Sequence, residues 1–307
     1  MPCYHPILIP HPTRRKWLRD GYVPNEFEDS VIPYSLKVPC GQCPNCLRKR
    51  ARDWKVRVMA EYASHNYKGG LFLTLTFSDE DLKRFEIPGA REVCEDRFKW
   101  YDISRIVRLF LERIRKATGK SVKHIFIPEF GKKSTKRLHI HGLLFNVRFG
   151  YKQIRKLWKY GHVWVGYYSD ARTSGYMTKY MTKDMTSRTP IFVSPGLGRD
   201  LLDQSLIKKI RKVLSSKDAD FRINFNGYLY GCPKYYYDKA LDPLERLYLT
   251  LTRDPLDFCG LHFPDEASLH SYLRFMAELH PPGRKPKVNS MLNLLSRESI
   301  FSDWIDL

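Results

Sequence analysis

The chain has 307 residues, 43% of them hydrophobic and 14% aromatic, enough apolar side chain to close one large folded unit or a compact domain with extensions. Lys and Arg total 53 against 33 Asp and Glu, and the resulting +20 calls for a polyanionic partner, because each neutralised phosphate releases counterions. No apolar run nears the ~20 residues of a spanning helix, so no membrane partner is expected. The opening MPCYHPILIPHPTRRK lacks the order of a signal peptide, and an odd seven cysteines suits a reducing cytoplasm better than a disulfide scaffold.

In chain order, residues 1–39 are proline-rich and aperiodic and read as an extended arm. PCGQCPNC follows, with Cys40, Cys43 and Cys46 in a C-x₂-C-x₂-C pattern. Close thiolates of this kind suit a tetrahedral structural Zn²⁺, for which Cys3 and His5 are the candidates as fourth ligand. Unligated thiols beside the next helix are the alternative. That helix is predicted over 44–66, with Trp54, Val58 and Tyr62 as an apolar stripe opposite Arg48, Arg52 and Lys55. LFLTLTF (71–77) reads as a strand. WYDISRIVRLFLERIRKATG carries Ile103, Ile106, Val107, Phe110 and Ile114 at helical spacing and closes on Gly119. Two strand-like runs, 124–131 and 137–145, are joined by a short polar connection and predict an antiparallel hairpin. A helix over 151–161, a strand over 162–168 and a helix over 171–185 complete a β-α-β-β-α-β-α order. The expected class is therefore α+β, with helices packed on an antiparallel sheet. Beyond about 190 the signals weaken to a helix in SLIKKIRKVL and a second hairpin in RINFNGYLYG. The expected layout is an arm and basic helix over 1–66, a core over 67–190 and an extension over 191–307.

Two stretches carry chemistry. In RLHIHGLLF, strand alternation points His139 and His141 to the same face, about 7 Å apart. Glu129 lies on the preceding strand, and a register that sets it beside His139 would converge two imidazoles and one carboxylate. Such a mixed set suits Mg²⁺ or Mn²⁺ at phosphate oxygens, with Zn²⁺ as the competing ion. The bland alternative is surface histidines and a glutamate paired to a lysine. In YMTKYMTK (176–183), helical spacing sets Tyr176 and Tyr180 roughly 40° apart on one face, with Lys179 and Lys183 in the same neighbourhood. Taken alone, that pattern describes two aromatic core contacts as well as two nucleophiles.

Together these residues resemble the HUH endonucleases, and more closely the replication initiators of gokushovirus-like microviruses, small single-stranded-DNA phages. His139, Ile140 and His141 match the pattern of two histidines flanking a hydrophobic residue. Tyr176, Tyr180 and Lys183 match Y-x-x-x-Y-x-x-K. LFLTLTF, PCGQCPNC and PKYYYDK (233–239) are also similar to these phage proteins, and the resemblance covers roughly residues 1–240. It implies an HUH nuclease core whose tyrosines cut single-stranded origin DNA and form a covalent DNA adduct through a 5′-phosphotyrosine. Two tyrosines would alternate as nucleophiles, with Lys183 and Lys179 stabilising charge. It further implies work in the host bacterial cytoplasm beside a separate helicase and polymerase, since no phosphate-binding G-x-x-x-x-G-K-[ST] loop occurs. A transposase of the same superfamily, or a non-catalytic zinc-containing nucleic-acid-binding protein, are the alternative readings.

Overall fold

The computed structural model describes residues 3–26, 29, 34–65, 70–131, 137–166, 175, 177, 179, 181, 189–213, 221–225, 227–241, 257–258, 261–262 and 271. The chain divides into two compact units: Gly41–Asp203 with Phe225–Pro233, and Cys3–Cys40 with Gln204–Asn224 and the residues from Lys234 onward.

In the second unit, β1 (Ile7–Pro10) and β2 (Ser35–Val38) pair antiparallel around α1 (Pro12–Asp20). The arm is thus not simply extended: two strands and a helix form in it. Prolines that look like breakers fall instead on a two-stranded edge and at the first helical position, where a missing N–H costs nothing. The Arg14 guanidinium closes the turn, bonding Asp29 at 2.7 Å and lying 3.7 Å from the Tyr34 ring centroid.

The first unit is α+β, as expected. Helix α2 (Pro44–Ser64) leads into β3 (Gly70–Leu75). Two short helices, α3 (Asp79–Lys83) and α4 (Ala90–Val93), precede α5 (Ile103–Thr118). Then come β4 (His124–Phe130), β5 (Leu138–Phe145), α6 (Tyr151–Trp158), β6 (Val163–Gly166) and the two-residue β7 (Phe192–Val193). The five strands form one antiparallel sheet in the order β6-β3-β5-β4-β7. The β4–β5 hairpin is the one its polar connection predicted.

Strand alternation divides the sheet into two faces. One carries Leu71, Leu73, Leu75, Phe126, Ile140 and Leu144, and is covered by the apolar stripe of α5 and by Trp158 of α6. Helix α5 is bounded as its sequence suggests: the Asp102 carboxylate accepts from the Arg105 amide at 2.9 Å, and Gly119 ends it at φ 69°. Gly142 belongs to this face, where a Cβ would stand 2.2 Å from the Phe126 ring, so only glycine lets that ring lie across the strand between His141 and Leu143.

The opposite face carries Phe72, Ile125, Ile127, Leu143 and Phe145 beneath Ala51, Val58 and Tyr62 of α2, together with Met177 and Met181. Residues 56–62 of α2 are buried on every side, which a one-sided helical stripe does not predict. The cause is the segment after β7. Arg57 donates to the carbonyls of Leu197 at 2.9 Å and Pro195 at 3.3 Å, while Glu61 accepts from the Gly198 amide at 2.8 Å. Glu61 also meets His65 at 2.9 Å and Lys123 at 3.1 Å, so its wholly buried carboxylate is satisfied from three sides. Arg57 thus serves packing, whereas Arg48, Lys49 and Arg52 near the start of α2 are exposed.

Further along, α7 (Gln204–Val213) and α8 (Lys234–Ala240) pack on one another, and β8 (Arg222–Phe225) pairs with β9 (Tyr228–Gly231) as the Asn-Gly pattern suggested. Two short strands, β10 (Asp257–Phe258) and β11 (Leu261–His262), form a separate antiparallel pair. Among the described residues, no helix is long and apolar enough to cross a membrane.

Candidate metal and nucleic-acid site

The helix-α2 face of the sheet is apolar at one end and polar at the other. At the polar end β5 presents His139 and His141, β4 presents Glu129, and β3 presents Thr74. Glu129 pairs in register with His139, as the sequence suggested, while Thr74 pairs with His141. The Glu129 carboxylate turns along the strand to meet His141: Oε2 lies 3.0 Å from Nε2. On the other side of the imidazole, Nδ1 lies 3.2 Å from the Thr74 hydroxyl. Phe72 stacks on the ring, with centroids 6.1 Å apart and planes 22° apart. His141 is therefore gripped on both nitrogens and one face, and both it and Glu129 are buried.

His141 and Glu129 could hold two adjacent positions on a small octahedral cation. Two ligand atoms at about 2.1 Å from an ion, in adjacent octahedral positions, stand about 3.0 Å apart. His141 Nε2 and Glu129 Oε2 already have that separation. An ionised Glu129 can only accept, so without an ion Nε2 must carry a proton; with an ion Nε2 must offer its lone pair and Nδ1 becomes the N–H. The Thr74 hydroxyl serves both tautomers, donating to a bare Nδ1 and accepting from Nδ1–H. The sequence of strand β3 alone assigns Thr74 no role. Its alternation with His141 across the sheet is a register fact, invisible before β3 and β5 are paired.

His139 is half-buried, and its ring lies beside Gly131, where a Cβ would stand 3.4 Å from Cε1. Its donors do not join those of His141 and Glu129 in a tight cluster. Among the described residues, the one group of three or more such side chains whose ligand atoms converge is formed by cysteines.

Of the tyrosine segment, Gly175, Met177 and Lys179 are helical, with Met177 and Met181 buried and Lys179 exposed. Tyr176, Tyr180 and Lys183 lie outside the described residues. The i, i+4 methionines are buried in the same cluster as Ile127 and Leu143, on the sheet face that carries His141. Lys55 of α2 reaches the start of the segment, its Nζ 4.0 Å from where a Gly175 Cβ would stand.

The Sγ atoms of Cys3, Cys40, Cys43 and Cys46 all lie within 4.8 Å of one another. Cys3 is thus brought to the C-x₂-C-x₂-C group, with 3.5 Å between its sulfur and that of Cys40, and His5 is not part of the cluster. A tetrahedral zinc with bonds of about 2.3 Å needs sulfurs about 3.8 Å apart, so this group could bind a metal such as zinc with small adjustments.

Residues 70–185 match the replication-associated protein ORF2/G2P family. The matched stretch runs from β3 through the tyrosine segment and so contains Thr74, Glu129, His139, His141 and Lys179, while α2 and the four clustered cysteines precede it. Over 258 residues the chain is 27% identical to the replication-associated protein ORF4 of Chlamydia phage 1, a match covering 71% of this chain and 56% of the relative. It is 27% identical over 171 residues to the replication-associated protein VP4 of Bdellovibrio phage phiMH2K, covering 49% of this chain and 50% of that one. The chain spans about half the length of the curated relatives it matches. No solved structure matches it. The resemblance to phage replication proteins read from the motifs is borne out.

Proposed function

We propose that this protein initiates rolling-circle replication, nicking and rejoining single-stranded origin DNA through a covalent 5′-phosphotyrosine. One observation carries the reading: Glu129 and His141, from neighbouring strands, meet at 3.0 Å on the sheet face against which Met177 of the tyrosine segment packs. Glu129 and His141 would hold two positions of a divalent ion, and His139, the register partner of Glu129, would supply a third by turning its side chain toward it. Mg²⁺ or Mn²⁺ bound there supplies polarisation of the scissile phosphodiester. Tyr176 or Tyr180 attacks phosphorus through its phenolic oxygen; a P–O(Tyr) bond forms, the P–O3′ bond breaks, and a 3′-OH is left for a polymerase. After one circuit the second tyrosine cuts the regenerated origin, and the released 3′-OH reseals the displaced circle. Lys183 and Lys179 offset the charge that builds on the phosphate. The phenolate is a good leaving group as well as a nucleophile, which keeps the rejoining step accessible.

On this reading residues 67–190 are the nuclease core, 1–66 an arm and basic helix steadied by zinc, and 191–307 an extension. The enzyme works in the bacterial cytoplasm of the host with a separate helicase. The test is a denaturing gel of protein with single-stranded origin DNA and Mn²⁺. His139→Ala and His141→Ala should lose cleavage while retaining salt-sensitive DNA binding, which the basic surface supplies. Tyr176→Phe combined with Tyr180→Phe should form no denaturation-resistant adduct. Wild-type adduct yield from that double variant would overturn the phosphotyrosine mechanism.

A further inference from the structure

The sheet edge beside the candidate site carries an aromatic residue that the chemistry above does not use. Trp164 lies on β6, the edge strand, and is 58% exposed. It pairs in register with Thr74, which in turn pairs with His141. The three residues therefore form one cross-strand row on one face. At about 4.8 Å per strand, the Trp164 backbone lies about 10 Å from that of His141.

The indole is also held in a fixed pose. A Cβ on Gly166 would stand 2.8 Å from Trp164 Cη2 and 3.0 Å from Cζ3, so the ring lies down over a glycine and any side chain there would lift it. Phe72 buttresses it edge-on, with centroids 5.7 Å apart and planes at 71°. The same Phe72 stacks on His141, so one buried ring supports both the exposed indole and the buried imidazole. The glycine shelf and the phenyl buttress thus orient the indole.

We propose that Trp164 is a stacking platform for one nucleobase of the single strand, next to the phosphate held at His141 and Glu129. Base–aromatic stacking requires an unstacked base, which a single strand offers and a duplex does not. The +20 charge of the chain supplies the matching attraction for the backbone. Platform and polar row on one face give the strand a direction: the base is held at the sheet edge while its phosphate reaches the interior strands. Trp164 is thus a positioning residue that fixes which phosphodiester lies at the metal pocket. This rests on the reading that the substrate is single-stranded DNA, but its test does not need cleavage.

The full chain is titrated with fluorescein-labelled single-stranded oligonucleotide without added Mg²⁺ or Mn²⁺, following anisotropy and tryptophan quenching. Trp164→Ala should weaken binding roughly 5- to 150-fold and remove part of the quench, and Trp164→Phe should recover part of the affinity. Single abasic sites are then walked along the oligonucleotide. At one position the abasic site should weaken wild-type binding and leave Trp164→Ala unaffected, the non-additivity of two groups that touch. Abasic sites at the other positions should weaken wild type and Trp164→Ala alike, which separates loss of one contact from altered folding. Additive losses at every position, or wild-type affinity in Trp164→Ala, overturn the platform. Concentration-dependent self-association lost in Trp164→Ala with DNA affinity intact assigns the indole to a second copy instead, and overturns it too. Intact binding and quench, with no nicking once Mn²⁺ is added, would refute the phosphotyrosine chemistry and leave the platform standing; failure to bind single strands at all would refute both.

Discussion

Replacing Thr74 by valine isolates the hydroxyl that steadies His141. Valine keeps the β-branch and nearly the volume of threonine, so strand β3 should be retained. What is lost is the 3.2 Å contact with His141 Nδ1. An ordinary hydrogen bond contributes about 1 kcal/mol net, and leaving a buried polar partner unsatisfied costs about 1–3 kcal/mol. His141 is 7% exposed, so little water can replace the hydroxyl, and a destabilisation of about 1–2 kcal/mol is expected in urea unfolding. The larger effect should fall on metal affinity. If His141 ligates a metal as proposed, removing its partner should cost about 10–100-fold, since the ring angle is no longer held and the Nδ1–H of the metal-bound form loses its acceptor. Calorimetric titration of Mn²⁺ into zinc-loaded wild-type protein, Thr74→Val and Thr74→Ser reads this directly. Serine keeps the hydroxyl and should bind within a few-fold of wild type. Equal Mn²⁺ affinity in wild type and Thr74→Val would refute the argument, and a serine variant as weak as the valine one would reduce Thr74 to a packing residue.

Three other outcomes are expected. Glu61→Gln should destabilise the first unit by about 3 kcal/mol, the low end for breaking a buried ion pair, because Lys123 is 28% exposed and keeps its 2.6 Å contact with Asp200; chemical denaturation measures it, and a shift under 1 kcal/mol would contradict the burial argument. Protein purified without chelator should carry about one zinc by atomic absorption, and Cys43→Ser should lower both zinc content and the melting temperature of the amino-terminal region; a metal-free, fully folded preparation would rule the cluster out as a zinc site. Burial, and secondarily the nearby Arg14 charge, lowers the His11 pKa from 6.5 to about 4. An unfolded chain therefore takes up this proton before the folded one does, so stability is full above about pH 6.5 and is lost as pH falls toward 4, by up to ~3 kcal/mol. Urea midpoints at pH 7 and 5 should differ less in His11→Gln than in wild type.

Much of this protein was legible before folding because periodicity is a local property. The α5 stripe, the β4–β5 hairpin, the shared face of His139 and His141, and the Asn-Gly turn before β9 follow from residues a few positions apart, whose side-chain directions the backbone repeat dictates. The cysteine spacing belongs to the same class, since Cys40, Cys43 and Cys46 lie within a stretch of seven residues. Tertiary structure decided what depends on distant partners. The choice of Cys3 over His5 required the chain to return across 37 positions. The burial of residues 56–62 depends on a segment some 140 positions away, whose carbonyls and amide satisfy Arg57 and Glu61 and so allow a polar helix face to leave water. The contact between Glu129 and His141 is a diagonal across a ladder, and Thr74 and Trp164 enter the site solely because β3 lies between β5 and β6. Strand order is set by which faces can be buried together, a global condition that no single stretch of sequence contains.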